Sequence, residues 1–295
     1  MQADRLRQAL IEHGSPQSTL VYGICAGKTR YSLTILKEER IERAFMFSLD
    51  KGFESALFAR DNKGEYILND EELSKLTIYT CEDLQDVPRA WDLMKEVIDY
   101  KSNGFWISDK GEKSLLEKKD YQFFPGWKNL KESDCVIVDH LTLLGNSIHN
   151  HTIKTGNLKT KSGARDTQRE YGEDATKNSS FLQVIQHAKF PTICIAQAIH
   201  EEEKDSKLEG AGVFPFMGTK NFSRTVPSFF QNVLYMTIDA GAIYAKGSTP
   251  IWRPNVIARS RRGVQIEKSK EYRIGELMFT EAKEQPSGIK IGVNK

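Results

Sequence analysis

The sequence predicts an α/β fold in which a mainly parallel sheet is flanked by helices. Short apolar, β-branched runs alternate with longer amphipathic stretches, which is the pattern of βα units. Several of these runs are apolar on both faces, as central strands covered by helices require. The chain has 295 residues, of which 39% are hydrophobic, so it can bury a substantial core. This length accommodates one large α/β domain or two small ones.

The alternating runs give specific predicted elements. The predicted strands are residues 19–22, 44–47, 76–79, 135–138, 191–196 and 233–238. The predicted helices are residues 29–40, 87–101 and 179–189, with a further amphipathic helix at 1–14. Three long stretches, 103–133, 145–172 and 200–218, are predicted to be irregular from their glycine-rich or polar composition.

Composition narrows the range of functions. The 42 Lys and Arg residues nearly balance 40 Asp and Glu, for a net charge of +2, so any nucleic-acid contact must come from a local basic patch. No stretch approaches the ~20 apolar residues that a membrane span needs, and the four cysteines form no CxxC pair. We therefore expect no membrane association, no zinc site and a cytoplasmic location.

Residues 1–240 are the predicted core domain, and 241–295 a basic, β-hairpin-like extension and tail.

The strongest motif is a strand, a turn of small residues and a helix, with Gly27-Lys28-Thr29 at the junction. In such a turn, glycines let backbone N–H groups face a phosphate. The lysine then reaches the β- and γ-phosphates, and the threonine hydroxyl ligates Mg²⁺. The predicted phosphate-binding residues are Gly23, Ala26, Gly27, Lys28 and Thr29.

The spacing within this loop departs from the usual motif. Only three residues separate Gly23 from Gly27, whereas the usual loop has about four. Either the loop is one residue shorter, or Tyr22 stands where the first glycine belongs. The competing interpretation is a chance Gly-Lys-Thr sequence at a strand–helix turn. A shortened loop could weaken nucleotide binding or abolish hydrolysis.

A second strand ends in a carboxylate about 110 residues further along the chain. Residues 135–138 are apolar, and Asp139 follows them at the carboxyl edge of the predicted sheet. There it can hold Mg²⁺ through water beside the phosphate loop. The metal ligands predicted from sequence are thus Thr29 and Asp139, while His140 is predicted to be a packing or supporting residue.

Two further strand ends carry candidate catalytic groups. Residues 45–49 run into an acidic turn, where Asp50 is the first candidate for polarising water near the γ-phosphate and Glu54 the second. Gln197 lies at the tip of another strand, where an amide can sense loss of the γ-phosphate. Lys220, just beyond Gly218, is a candidate to reach a phosphate, either in its own subunit or across a subunit interface. The competing interpretation is a solvated turn carboxylate for Asp50 and Glu54, and an ordinary surface residue for Gln197 and Lys220.

Taken in order, these elements resemble the RecA-like ATPase core, in particular the phage-encoded AAA-type, RecA-like ATPases that include the Sak-type single-strand recombinases. The resemblance covers roughly residues 15–240 and rests on five segments. These are 22–29, 49–52, 136–142, 196–201 and 218–233. It implies ATP and Mg²⁺ as ligands, single-stranded DNA as partner, a homo-oligomer that completes its sites between subunits, and a phage single-strand-binding or replication protein as a possible partner.

In RecA-like recombinases, the loops after the two central strands face DNA, and this chain is basic in one of them. Residues 145–169 hold five basic residues against one acid, which suits phosphate contacts, whereas 200–217 have a net charge of −3. A second basic cluster lies at 252–273, with a net charge of +5, and includes Trp252 for base stacking. The predicted DNA-binding residues are Lys159, Lys161, Arg165, Arg259, Arg261 and Arg262. The competing interpretation of the second cluster is a solvated hairpin.

The sequence thus predicts an ATP-binding and ATP-hydrolysing protein that acts on single-stranded DNA in phage recombination or replication, in the host cell cytoplasm. Two alternatives stay open. One is a partner-driven ATPase, such as a helicase loader or packaging motor, which the acidic residues of 200–217 favour. The other is a scaffold that binds nucleotide without hydrolysing it, which the short phosphate loop favours.

Overall fold

A computed structural model describes residues 18–23, 27–60, 64–156, 158–160, 162–200, 213–238, 254–260, 265–266 and 274–279. The strands are β1 (Ser18–Gly23), β2 (Arg43–Ser48), β3 (Leu76–Thr80), β4 (Phe105–Ser108), β5 (Lys113–Ser114), β6 (Tyr121–Phe124), β7 (Asp134–Asp139), β8 (Thr192–His200), β9 (Val213–Pro215), β10 (Asn232–Ile238), β11 (Pro254–Ser260) and β12 (Gln265–Ile266). The α-helices are α1 (Lys28–Leu33), α2 (Phe53–Leu57), α3 (Asp70–Ser74), α4 (Arg89–Val97), α5 (Leu141–Thr155), α6 (Thr167–Gln186), α7 (Lys220–Ser223) and α8 (Ile274–Phe279). Short 3₁₀ helices lie at Thr34–Lys37, Trp127–Asn129 and Val226–Phe229.

The main sheet runs in the order β12-β11-β10-β1-β8-β7-β2-β3. The strands from β10 to β3 are mutually parallel, and β11 and β12 join antiparallel beyond β10. β9 pairs antiparallel with the far end of β8. All six predicted strands belong to this sheet, so the predicted α/β fold with a mainly parallel sheet is confirmed.

Alternate residues of the central strands pack into two apolar cores, one on each face of the sheet. Val136 and Val138 of β7 face the core built with α4, α5 and α6. Cys135 and Ile137 face the opposite core, which includes α1, the Thr34–Lys37 turn and α8. Every residue of β7 is buried, as a central strand between two helical layers requires.

Two stretches predicted to be irregular are in fact regular. Residues 103–133 contain β4, β5 and β6, which form a separate antiparallel sheet in the order β5-β4-β6. Residues 145–172 lie largely in α5 and α6. Gly145 lies inside α5. The backbone of Gly218 packs against the helix at this position, and a Cβ on Gly145 would lie 2.5 Å from the nitrogen of Gly218.

The predicted extension begins within the main sheet. β11 continues the sheet from β10, while residues 239–253 and the tail beyond 279 are outside the described residues, as is the predicted helix at 1–14. The domain boundary at 240 stays a prediction. In the described part of the chain, no helix has the length and apolar character needed to cross a membrane.

Candidate functional site

The predicted phosphate loop joins β1 to α1. Gly27 has φ 71° and ψ 31°, in the left-handed region that favours glycine, and stands immediately before the helix. The Nζ atom of Lys28 donates a 3.0 Å hydrogen bond to the carbonyl oxygen of Gly23, so the lysine side chain turns back towards the end of β1. Ala26 lies outside the described residues.

Gly23 has a packing reason to be glycine. A Cβ at this position would lie 2.2 Å from the carbonyl oxygen of Met236 on β10, a distance no side chain tolerates. The first glycine of the motif is therefore required by the close approach of two strands, independently of any phosphate.

Thr29 and Asp139 meet at the carboxyl edge of the sheet. The Oγ1 atom of Thr29 donates a 2.7 Å hydrogen bond to Oδ2 of Asp139, whose side chain is almost fully buried. Burial raises the pKa of Asp139, and the nearby charge of Asp50 acts in the same direction. The hydrogen bond from Thr29 and the positive charge of Lys28 oppose that rise.

Asp50 approaches the same edge from β2, whose last residue pairs with Asp139. Its Oδ1 atom accepts a 2.8 Å hydrogen bond from the backbone nitrogen of Gly52, and its Oδ2 atom lies 3.3 Å from Nε2 of His140. The hydrogen bond from His140 is the largest cause of a lowered Asp50 pKa, with contributions from Gly52 and from the charge of Lys28. Asp50 is therefore ionised at neutral pH.

His140 links this carboxylate to a helix. Its Nδ1 atom accepts a 3.3 Å hydrogen bond from the backbone nitrogen of Leu143, which caps the start of α5. Because Nδ1 accepts, we assign the proton to Nε2, which donates to Asp50. The Asp139–His140 peptide bond is cis. The sequence did not predict the contact between His140 and Asp50. The available signal was that His140 directly follows Asp139, the carboxylate at the end of a strand.

β8 continues to His200, so Gln197 lies within this strand and not at its tip as predicted; a residue that the sequence did not single out holds its backbone. The backbone nitrogen of Gln197 donates a 3.0 Å hydrogen bond to Oγ1 of Thr142, which itself donates to the carbonyl of Phe216 at 2.7 Å. Gln197 pairs with Gly23 across β1 and β8, and its side chain is exposed. The amide is thus placed next to the phosphate loop by backbone register.

Two further predicted residues are exposed on short helices. Glu54 is exposed in the first turn of α2, and its side chain makes no hydrogen bond or ion pair with another described residue. Lys220 is exposed at the start of α7, after the left-handed Gly218. The structure therefore brings together Lys28, Thr29, Asp50 and Asp139, with Gln197 on the adjoining strand.

The structure describes three of the six predicted DNA-binding residues, Lys159, Arg165 and Arg259. Lys159 and Arg165 face each other in a small β-bridge between α5 and α6, and both are exposed. The Nε atom of Arg165 donates to both carboxylate oxygens of the buried Glu170 at 2.7 Å, so this arginine already has an anionic partner. Arg259 lies in β11, opposite Val233. Lys161, Arg261 and Arg262, like Trp252, are outside the described residues.

The oxygen ligands available at the carboxyl edge of the sheet fit Mg²⁺. Thr29 and Asp139 offer a hydroxyl and a carboxylate oxygen, and Mg²⁺ is usually held by one or two carboxylates, waters and substrate phosphates. Among the described residues, no group of three His, Cys, Asp or Glu side chains forms a protein-only metal site. A cation here would also compensate the buried negative charge of Asp139, whose pKa is raised by burial.

The fold and this site define the class: an α/β domain with a parallel sheet and a candidate phosphate loop between β1 and α1. Residues 15–272 match the family described as AAA domain, and the chain belongs to that family. No curated protein matches the chain.

Two solved structures are distantly similar to the chain. One is the RadB recombinase, at 15% identity and a TM-score of 0.40, over 88% of this chain and 85% of that one. The other is an ATPase from the type III secretion system of pathogenic bacteria, at 12% identity and a TM-score of 0.40. That match covers 76% of this chain, which spans about half (51%) of the secretion ATPase.

Proposed function

We propose that the chain is a Mg²⁺-dependent, RecA-like ATPase that acts on single-stranded DNA in phage recombination or replication. The observation that carries the ATPase part is the cluster at the sheet edge. The Thr29 hydroxyl is hydrogen-bonded to the buried Asp139, while Lys28 lies close enough to act on the pKa of both Asp139 and Asp50. A cation-binding pair beside a lysine at the end of a strand–loop–helix suits a nucleoside triphosphate.

Gly27 and Lys28 would hold the phosphates, and Thr29 and Asp139 would hold Mg²⁺. The metal, when bound, offsets the negative charge that develops on the β- and γ-phosphates. The hydrogen bond from the Thr29 hydroxyl keeps the Asp139 carboxylate oriented, which suits binding of the metal. The exposed amide of Gln197, in register with Gly23, would sense the γ-phosphate.

Asp50 is the residue that we propose orients the attacking water. In hydrolysis, water attacks the γ-phosphorus, the bond to the bridging oxygen breaks, and ADP and inorganic phosphate leave. Because the pKa of Asp50 is lowered, its carboxylate is a weak base and acts best by accepting a hydrogen bond from that water. His140 and Gly52 fix the carboxylate for this task. Glu54 remains the second candidate, and its exposed position makes it the weaker one.

The DNA part of the proposal rests on basic residues outside this cluster. Lys159 and Arg259 are described, Lys161, Arg261 and Arg262 continue the same two basic segments, and both segments suit phosphate contacts. We propose a homo-oligomer in the host cell cytoplasm, with a phage single-strand-binding or replication protein as partner.

The test is nucleotide binding and ATP hydrolysis by the purified chain, with Mg²⁺, at low salt, with and without single-stranded DNA. Lys28→Ala should abolish nucleotide binding. The matched control is Lys37→Ala, which removes a lysine at the end of the same helical segment and should bind nucleotide as the wild type does. Equal nucleotide affinity in Lys28→Ala and wild type would reject the site. Hydrolysis that responds to a protein partner and not to single strands would favour the partner-driven alternative.

A further inference from the structure

The small sheet β5-β4-β6 has one buried and one outward face. On the inner face, Phe105, Ile107 and Phe124 are buried in the main core. Trp106 and Phe123, which are opposite each other across β4 and β6, belong to the other face, because successive strand residues point to opposite sides. Their ring centroids are 5.2 Å apart; Phe123 is 47% exposed, and Trp106 is half-buried.

The aromatic character of this face extends along β6. Tyr121 shares the face with Phe123, and the ammonium group of Lys118 lies 4.7 Å from the Tyr121 ring centroid. At the other end the Phe123 ring covers Gly104, where a Cβ would lie 2.8 Å from the ring carbon Cζ. A glycine at this position thus leaves room for the Phe123 ring beside Trp106.

The surroundings of the face are basic, although the whole chain is nearly neutral. Residues 101–131 contain seven lysines and four acidic residues, a local net charge of +3 against +2 for all 295 residues. Lys101, Lys118, Lys119 and Lys128 are exposed. Lys118 is placed beside an aromatic ring, and Lys128 follows the glycine-containing turn near Gly104.

We propose that this face is a binding site for single-stranded nucleic acid, in which bases stack on Trp106 and Phe123 and the lysines contact the backbone phosphates. Exposed aromatic rings beside cationic side chains are how proteins bind single strands without reading sequence, since every base offers a π-face. An acidic partner would use the lysines but not the aromatic rings, and an apolar partner would use the rings but not the lysines. The inference rests on the DNA part of the proposed function and assigns it a surface other than Lys159 or Arg259.

The experiment measures fluorescence anisotropy of a labelled 30-nucleotide oligo(dT) at low salt, without nucleotide. Removing one ring, by Trp106→Ala or Phe123→Ala, should weaken binding by about fivefold to a hundredfold, the range for loss of one base–aromatic stack. Trp106→Phe keeps a ring and should retain most of the affinity. Phe58→Ala is the matched control, because Phe58 is 73% exposed but belongs to the segment after α2. Thermal unfolding and nucleotide affinity of each variant report whether the fold is intact.

Trp106→Leu and Phe123→Leu separate stacking from apolar contact. Leucine keeps the apolar surface and loses the π-face, so both variants should bind as weakly as the alanine variants. Leucine variants that bind like wild type would overturn the stacking site and indicate apolar docking. Oligo(U) should bind similarly, because stacking does not read the sugar, whereas a duplex should bind more weakly; preference for the duplex would overturn the inference.

The outcomes also separate this inference from the proposed function. If wild type binds oligo(dT) and the ring variants bind equally well, the small sheet is not the site while the DNA-directed function stands. If wild type binds no single strand, both the site and the DNA part of the function fail. Absence of ATP hydrolysis, with ring-dependent strand binding intact, would reject only the ATPase part.

Discussion

The hydroxyl of Thr29 reaches Oδ2 of Asp139 at 2.7 Å, although 110 residues separate the two in the chain. Thr29 follows β1 and Asp139 ends β7, and β8 lies between these two strands. At a spacing of ~4.8 Å per strand, the contact therefore spans about 10 Å of sheet at its carboxyl edge. The hydroxyl reaches the carboxylate because α1 begins at this edge of the sheet. The contact therefore depends on β1, β8 and β7 being neighbours in the parallel sheet.

Thr29→Val should weaken Mg²⁺-dependent nucleotide binding by about tenfold to a hundredfold, since it removes the hydroxyl that contacts Asp139 while keeping a β-branched side chain. Titration of a fluorescent ATP analogue, with Mg²⁺ and with EDTA, measures this effect. Thr29→Ser restores the hydroxyl and should bind nearly as wild type does. A valine variant with wild-type affinity in Mg²⁺ would show that the hydroxyl is not a ligand.

His140→Ser should separate catalysis from stability. Serine is a good helix N-cap, so it can replace the Nδ1 contact with the Leu143 nitrogen, but it cannot reach Asp50 as Nε2 does. We expect a nearly unchanged melting temperature and nucleotide affinity, with turnover reduced by up to about a hundredfold, because Asp50 is no longer held in one orientation. His140→Ala, which loses the cap as well, should also be less stable by about 1 kcal/mol. Normal turnover in His140→Ser would mean that Asp50 needs no orienting contact.

Gly23→Ala should destabilise the fold, since its Cβ would lie 2.2 Å from the carbonyl oxygen of Met236. Relieving the overlap requires β1 and β10 to separate, and overpacking of this kind costs about 1–3 kcal/mol. Gly172→Ala is the control, because Gly172 lies inside α6 and a Cβ there meets nothing within 4 Å. It should stabilise by up to about 1 kcal/mol, the helix-propensity difference. Urea unfolding of both variants measures the two effects, and a neutral Gly23→Ala would mean that β10 yields at no cost.

The parts of the fold that the sequence predicts best are the strands buried on both faces. β2, β7 and β8 are continuous apolar runs, which a parallel sheet between two helical layers requires. The small sheet was missed because β4 and β6 are only four residues long each and show no regular alternation of buried and exposed residues. Such short strands are paired by tertiary contacts, such as the bond from the Tyr79 hydroxyl to the Phe123 carbonyl, and no local pattern records these.

The candidate site shows the same division between local and tertiary information. Lys28 and Thr29 stand in a local motif, so a sequence pattern finds them. The contact between Asp50 and His140 joins the ends of β2 and β7, and the bridge through Thr142 joins α5 to β8 and β9. These residues carry no motif of their own, and only the strand order brings them together.

Lys159 and Arg165 should behave differently despite facing each other. Lys159→Ala should lower the affinity for single-stranded DNA and reduce the slope of log K against log salt by about 0.7, the value for one phosphate contact on a single strand. Arg165→Ala should mainly lower thermal stability, because it leaves the buried carboxylate of Glu170 without its partner. Anisotropy titrations at several salt concentrations, with a melting curve for each variant, measure both effects. If Arg165→Ala lowers the affinity for single-stranded DNA and Lys159→Ala does not, Arg165 is the residue that contacts DNA.

The stability of the fold should fall above about pH 9. Burial raises the pKa of Cys81 to about 12, and burial likewise raises the pKa of Cys135, Cys194 and Tyr79. Below the ordinary thiol pKa of about 8.5 these groups keep their protons in both states and contribute no pH dependence. Above it the unfolded chain releases thiol protons that the folded chain retains, and above about pH 10 also the proton of Tyr79. The free energy of unfolding therefore decreases, by up to about 1.4 kcal/mol per pH unit for each group that titrates in the unfolded chain. Urea unfolding between pH 8 and pH 10, with reductant present, measures the slope. Cys135→Ala should make it shallower, and an identical slope in wild type and variant would mean that this thiol does not contribute.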